Sequence, residues 1–119
     1  MTSQTLVHTW FSLWETGEFE NLPLSESFKH TSPYGIINGR EAYMQLVLAN
    51  RDQFLGNKFL LREEMYDHQK ACIRYTMVSE KFSMEVSEWF YIKNNLIDEV
   101  ISYYNIEGEI SEDRQLSEL

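Results

Sequence analysis

The sequence predicts an α+β fold in which N-terminal helices cover one face of a mainly antiparallel sheet. Two observations carry this reading. Apolar residues recur with a period near 3.6 up to about Gly56 and with a period of 2 beyond it. The period-2 runs are joined by polar dipeptides, connections short enough to make sequential strands antiparallel neighbours. Helices first and strands second is the α+β order.

Each element has its own signature. Leu6, Val7, Trp10, Phe11, Leu13 and Trp14 fall on helical spacing, which predicts a helix over about 3–15, capped by Thr2 or Ser3 and ended at Gly17. Residues 18–22 form one more short turn before Pro23. A short strand is predicted over 28–32, followed by Ser32-Pro33-Tyr34-Gly35 as a turn and Ile36-Ile37 as a brief apolar pair. Asn38 and Glu41 fit the two ends of a capping box. They open a helix whose apolar side holds Tyr43, Met44, Leu46, Val47, Leu48, Phe54 and Leu55, ending near Gly56. Four long strands follow at 58–67, 71–79, 82–93 and 96–104, arranged as a meander. Residues 1–104 are read as one domain. Residues 105–119 are an acidic tail, with Glu107, Glu109, Glu112, Asp113 and Glu118 against Arg114. Such a tail is either a solvated extension or a partner-binding segment.

Composition narrows the function classes. The 119 residues suffice for one core, with 43% apolar and 24% charged residues. The formal charge of −9 argues against phosphate backbones and anionic membrane surfaces as partners. No apolar run reaches the roughly 18 residues of a membrane span. Cys72 is the single cysteine, so neither an intrachain disulfide nor a multi-thiolate metal site is expected. His8, His30 and His68 lack the spacing of a helical ligand pair, and no phosphate-cradling glycine motif is present. No metal and no cofactor are expected. The first residues lack the charged and apolar regions of a signal peptide, so the expected location is cytoplasmic. Aromatic residues reach 14%, enough to wall a core or a cavity.

The strongest local signal lies on the third long strand. Phe82, Met84, Val86, Glu88, Phe90 and Ile92 share one face, and only Glu88 is polar. A carboxyl buried there without a cation would have its pKa raised and stay protonated near neutral pH. Such a group can donate a hydrogen bond to a developing oxyanion. His30 and Ser32 alternate with Thr31 and so face one way, and His30 is a candidate general base. His30, Ser32 and Glu88 would make a proton-transfer cluster if the fold brings them together. Asp98 and Glu99 alternate on the last strand, so only one of them can point inward.

The segments "FSLWETGEFENL" (11–22), "FKHTSPYGIINGREAY" (28–43) and "SEWFYIKNNLIDEVISYY" (87–104), in this order and at these distances, resemble the SnoaL-like group of the nuclear transport factor 2-like superfamily. The resemblance implies a cone, with helices in the concave face of a curved sheet and one deep apolar pocket, and a homodimer paired through the other sheet face. It places Glu88 where ketosteroid isomerase holds its protonated acid. It sets Ser32 where that enzyme has its general-base aspartate and Trp10 where it has a tyrosine, so steroid isomerase activity is not expected. Asp98 is carried over as the late-strand acid of SnoaL-like cyclases. Trp10, Trp14, Phe28, Ser32 and Tyr34 are expected at the pocket, together with Tyr75, Met84, Val86 and Phe90.

Two functions follow as expectations. One is a cofactor-independent isomerase, cyclase or dehydratase that moves a proton on a small hydrophobic carbonyl compound, with Glu88 as acid and His30 as shuttle. The other is a non-catalytic ligand-binding or protein-pairing module. A hydrogen-bonded His30–Ser32–Glu88 cluster around a closed cavity favours the first, and Glu88 salt-bridged to Arg74 or Arg62 across a filled cavity favours the second.

Overall fold

A computed structural model describes residues 2–105 of the chain. The acidic tail expected beyond the domain lies, from residue 106 on, outside the described residues. Helix α1 (Ser3–Thr16) starts at Thr2, whose side chain accepts from the Thr5 N–H at 3.1 Å, a cap that stabilises by about 1 kcal/mol. It ends at Gly17, which sits at φ 85 and donates its N–H to the Leu13 carbonyl. A 3₁₀ turn (Phe19–Asn21) leads to strand β1 (Leu24–Ser32). Strand β2 (Gly35–Asn38), helix α2 (Arg40–Ala49) and the short helix α3 (Arg51–Phe54) follow. Then come β3 (Lys58–Tyr66), β4 (Lys70–Val78), β5 (Ser83–Lys93) and β6 (Leu96–Tyr103).

The strands form one sheet in the order β2-β1-β6-β5-β4-β3. Every neighbouring pair is antiparallel except β1 and β6, which run parallel. The predicted meander is therefore β3 to β6, and the β1–β2 hairpin extends it from the far side. Register shifts interrupt the ladders between Leu24 and Lys29, between Leu61 and Glu63, and between Tyr91 and Ile92. Such irregularities bend strands, and they occur in three of the five pairings.

Three local expectations are corrected. Strand β1 begins at Leu24 rather than Phe28, because Leu24 already pairs with Ile97 and the Ile97 N–H reaches the Pro23 carbonyl at 2.8 Å. Asn38 does not cap α2: it is held in β2 opposite Lys29, and Gly39, at φ 93, makes the turn into the helix without a side-chain cap. The second helix does not run through to Gly56. It breaks at Asn50, whose side-chain amide donates to the Leu46 carbonyl at 2.8 Å.

The core lies between α1, α2 and the inner sheet face. Trp10 is its centre, with ring contacts to Phe28, Tyr43 and Phe90 at 5.6–6.4 Å between centroids. Phe28 and Phe90 are wholly buried, and truncating either to Ala is expected to cost about 3–5 kcal/mol. Among the described residues no helix is long and apolar enough to cross a membrane.

Candidate functional site

Inward-facing residues of neighbouring strands meet as transverse rows. One row runs Ala71–Phe90–Val100–His30–Ile37 across β4, β5, β6, β1 and β2. The next runs Ile73–Glu88–Ser102, and its continuation on β1 is Ser32. A third pairs Tyr75 with Val86. From these rows His30, Ile37, Ser32, Glu88, Ser102, Tyr75 and Val86, with Trp10 and Trp14 of α1 and Tyr43 and Val47 of α2, line a cavity of about 1060 Å³. Met77, Met84, Phe54 and Phe59 add apolar wall, while Asp52, Gln53, Glu80 and Lys81 supply charged and polar lining. A second hollow of about 470 Å³ runs along α1 past Gln4, His8 and Ser12. It holds no buried acid.

Glu88 is buried at 4% exposure. Its Oε2 accepts a short hydrogen bond from the Ser102 hydroxyl, its direct cross-strand neighbour. Its Oε1 has no hydrogen bond of good geometry among the described residues, although the Tyr75 hydroxyl stands close enough to the carboxyl to pull its pKa down. Burial raises its pKa to about 7, against the lowering pull of the Ser102 hydrogen bond and of the nearby Tyr75 hydroxyl. No cation among the described residues offsets this. Arg74 is engaged by Glu63 at 2.7 Å and lies 3.9 Å from Glu85, and Arg62 donates to Thr76 at 3.1 Å. The salt bridge that would have marked a structural acid is absent among the described residues.

His30 moves the other way. Its imidazole stacks on Tyr43 at 5.2 Å, and burial lowers its pKa to about 4. The ordinary order of the two groups is thereby inverted. Between about pH 4 and pH 7 the carboxyl carries its proton and the imidazole does not. Tyr43 and Tyr75 are pushed up by burial first and by the Glu88 charge second, so both hydroxyls stay protonated and can donate.

Of the residues expected at the pocket, Trp10, Trp14, His30, Ser32, Tyr34, Tyr75, Met84, Val86 and Glu88 line this cavity. Phe28 and Phe90 are packed behind the lining, against Tyr43 at 4.9 Å and Trp10 at 5.6 Å. Asp98 stands outside the cavity. Its carboxylate accepts from the Ser25 and Ser27 hydroxyls at 2.6 and 2.9 Å, and the Ser25 bond chiefly holds its pKa below the usual range. Glu99 does not line the cavity either. His30, Ser32 and Glu88 share the cavity without a direct mutual hydrogen bond: Ser32 Oγ accepts from the Tyr34 N–H at 3.2 Å, and Glu88 takes Ser102 instead.

Sequence reasoning missed Ser102, Tyr43 and Tyr104 as site residues. Ser102 follows Val100 on the inward row of β6, so alternation alone could have flagged a hydroxyl among apolar neighbours. Its pairing with Glu88 depends on strand register, which two-residue periodicity does not supply. No group of three or more His, Cys, Asp or Glu side chains among the described residues gathers as metal ligands would.

No known family pattern matches the sequence, and no curated protein matches it. Solved structures do match. A nuclear transport factor 2-like protein of unknown function from Cytophaga hutchinsonii superposes with a TM-score of 0.76 at 19% identity, covering 88% of this chain and 91% of that one. A candidate ketosteroid isomerase from Kribbella flavida gives 0.72 at 13% identity, covering 97% and 87%. A candidate polyketide cyclase from Xanthomonas campestris gives 0.68 at 17% identity, covering 86% and 89%. The chain has the nuclear transport factor 2-like fold. At these identities the likeness shows the fold alone, and this fold carries many unrelated functions.

Proposed function

We propose that the chain is a small cofactor-independent enzyme that moves a proton on a hydrophobic carbonyl compound, in an isomerisation, cyclisation or dehydration. One observation carries this reading: a buried carboxyl that, among the described residues, has no cation beside it and one oxygen without a well-formed hydrogen bond, in a cavity walled mainly by apolar side chains. Two titratable groups whose surroundings push their pKa values past each other are the mark of an acid–base pair. In the isomerase form, the His30 imidazole takes a proton from the carbon beside the carbonyl. The electron pair moves onto the carbonyl oxygen, and the proton on Glu88 stabilises the enolate through a hydrogen bond. The imidazolium then returns its proton to a second carbon and both groups are restored. An imidazole with a pKa of about 4 is a weak base, and the neutral acid compensates by stabilising the enolate.

The test is thermal stabilisation by hydrophobic ketones at pH 6 and pH 8, on the wild type and on Glu88→Gln. Stabilisation of the wild type is expected at pH 6 and should fade at pH 8, as Glu88 loses the proton it donates. The variant, which cannot ionise at that position, should show the same stabilisation at both values. Ketone binding that ignores pH in the wild type, or no stabilisation by any ketone, would contradict the reading.

Ser32 favours a second reading, a ligand-binding protein without turnover, because its oxygen is engaged by the Tyr34 N–H and leaves that position without a free base. Solvent deuterium entering the carbon beside the carbonyl of a bound ketone separates the two. We also propose a homodimer paired through the outer sheet face. There Met65, Cys72, Trp89, Ile101, Thr31 and Ile36 form one transverse row across all six strands, with Met65 73% and Ile36 58% exposed. A free thiol at Cys72 fits a reducing cytoplasmic location.

A further inference from the structure

Among the described residues, two buried side-chain polar atoms have no hydrogen-bond partner, Glu88 Oε1 and Trp14 Nε1. Buried polar atoms in folded proteins are nearly always paired, so each exception calls for a reason. Both of these belong to residues that line the same cavity. They sit on different elements, Glu88 on the sheet and Trp14 in the last turn of α1. Trp10 lines the same cavity, its ring 5.8 Å from that of Trp14 and 5.6 Å from that of Phe90, which follows Glu88 on the inward side of β5. The two atoms therefore mark polar points on two different elements of one mainly apolar cavity.

Their chemistry specifies what would satisfy them. An indole nitrogen is a donor only. A neutral carboxyl whose second oxygen already accepts from Ser102 presents its O–H at the first. Both points thus ask for acceptors, and the wall between them asks for an apolar body. We infer that the cavity is built for an apolar molecule carrying two separated carbonyl-type acceptors, one met by Glu88 and the other by the indole N–H of Trp14. Trp14 is held by ring contacts to Phe19 at 4.8 Å and Phe54 at 5.5 Å, and Phe54 also lines the cavity. The indole nitrogen is itself buried, so a ligand acceptor meets it only by displacing part of this wall. A cationic ligand is not what this pair selects, since Trp14 can give nothing to a second donor.

The inference rests on the acid–base reading of Glu88 and adds the second point. The experiment measures dissociation constants at pH 6 for 1,3- and 1,4-diacetylbenzene and 2,6-diacetylnaphthalene. Each is compared with its mono-acetyl parent and with the ethyl analogue that has no carbonyl. The mono-acetyl compounds should bind about tenfold tighter than the ethyl analogues, reporting the Glu88 contact. At least one diacetyl compound should bind a further tenfold tighter than its parent. Within Trp14→Phe, which keeps a ring and removes the N–H, each diacetyl compound should bind no tighter than its mono-acetyl parent, so that the second factor is lost as a ratio. A circular dichroism melt confirms that the variant folds. If no diacetyl compound exceeds its parent, or if Trp14→Phe preserves the advantage, the two-point inference is overturned while the Glu88 reading stands. If mono-acetyl and ethyl compounds bind alike, or none binds, both fall.

Discussion

Glu85 and Glu88 stand three residues apart on β5 and on opposite faces of the sheet. Glu85 accepts from the Thr76 hydroxyl at 2.9 Å and has the Arg74 guanidinium 3.9 Å away, and Arg74 in turn binds Glu63. It is a solvated acid with cationic company. Glu88 has the Ser102 hydroxyl, two tyrosines nearby and, among the described residues, no cation. Same residue type, same strand, and the difference is parity. The outer face neutralises its charges in networks, whereas the inner face leaves one acid uncompensated and pays for it in stability. Acids kept under those conditions are candidates for chemistry.

Variants can break or sharpen that contrast, and the largest effect is expected at Glu88 itself. Its pKa is raised from 4.5 to about 7 by folding. The folded state therefore binds more protons than the unfolded one between these values, and stability falls as pH rises through that window. The cost amounts to roughly 3 kcal/mol once pH exceeds 7. Glu88→Gln removes it, so urea unfolding should show the variant gaining on the wild type by about this much between pH 4 and pH 8.

His30 acts in the opposite sense. Its pKa is lowered from 6.5 to about 4, so the unfolded chain binds the extra proton and stability rises with pH over that range. In the wild type the two slopes largely cancel between about pH 4.5 and pH 6.5. Glu88→Gln should expose the rising slope and His30→Gln the falling one. A wild type with a steep slope there, unchanged in both variants, would refute the inverted pair.

Ser102→Ala is next in size. It leaves a second carboxyl oxygen without a partner, at a cost of about 1–3 kcal/mol, and raises the Glu88 midpoint further because the lowering hydrogen bond is gone. On the outer face the effects should be small. Arg74→Ala removes a half-exposed ion pair, worth less than about 1 kcal/mol. Trp89→Lys there is expected to act on association: sedimentation should show the wild type as a dimer and the variant as a monomer.

The contrast also shows what was legible in the sequence. The inward row of β5 could be read from alternation, because a single acid among Met84, Val86, Phe90 and Ile92 stands out without any neighbour. What pairs with that acid could not be read, because Ser102 lies 14 positions away and only register joins them. Tyr43 was hidden for a related reason: on α2 it reads as an apolar helix position until the fold places its ring over His30. Alternation from Phe59 and Leu61 would carry Met65 inward, but it is 73% exposed on the outer face, since the register shift in β3 resets the alternation. Asn38 offered capping chemistry, but its backbone was already committed to the β1–β2 ladder.

The most direct test of the account is a carbon-13 carboxyl titration of Glu88, assigned by comparison with Glu88→Gln. The account predicts a midpoint near 7, more than two units above an ordinary glutamate. A midpoint near 4.5 would mean that the carboxyl is solvated or paired, and the acid proposed to drive the chemistry would not exist.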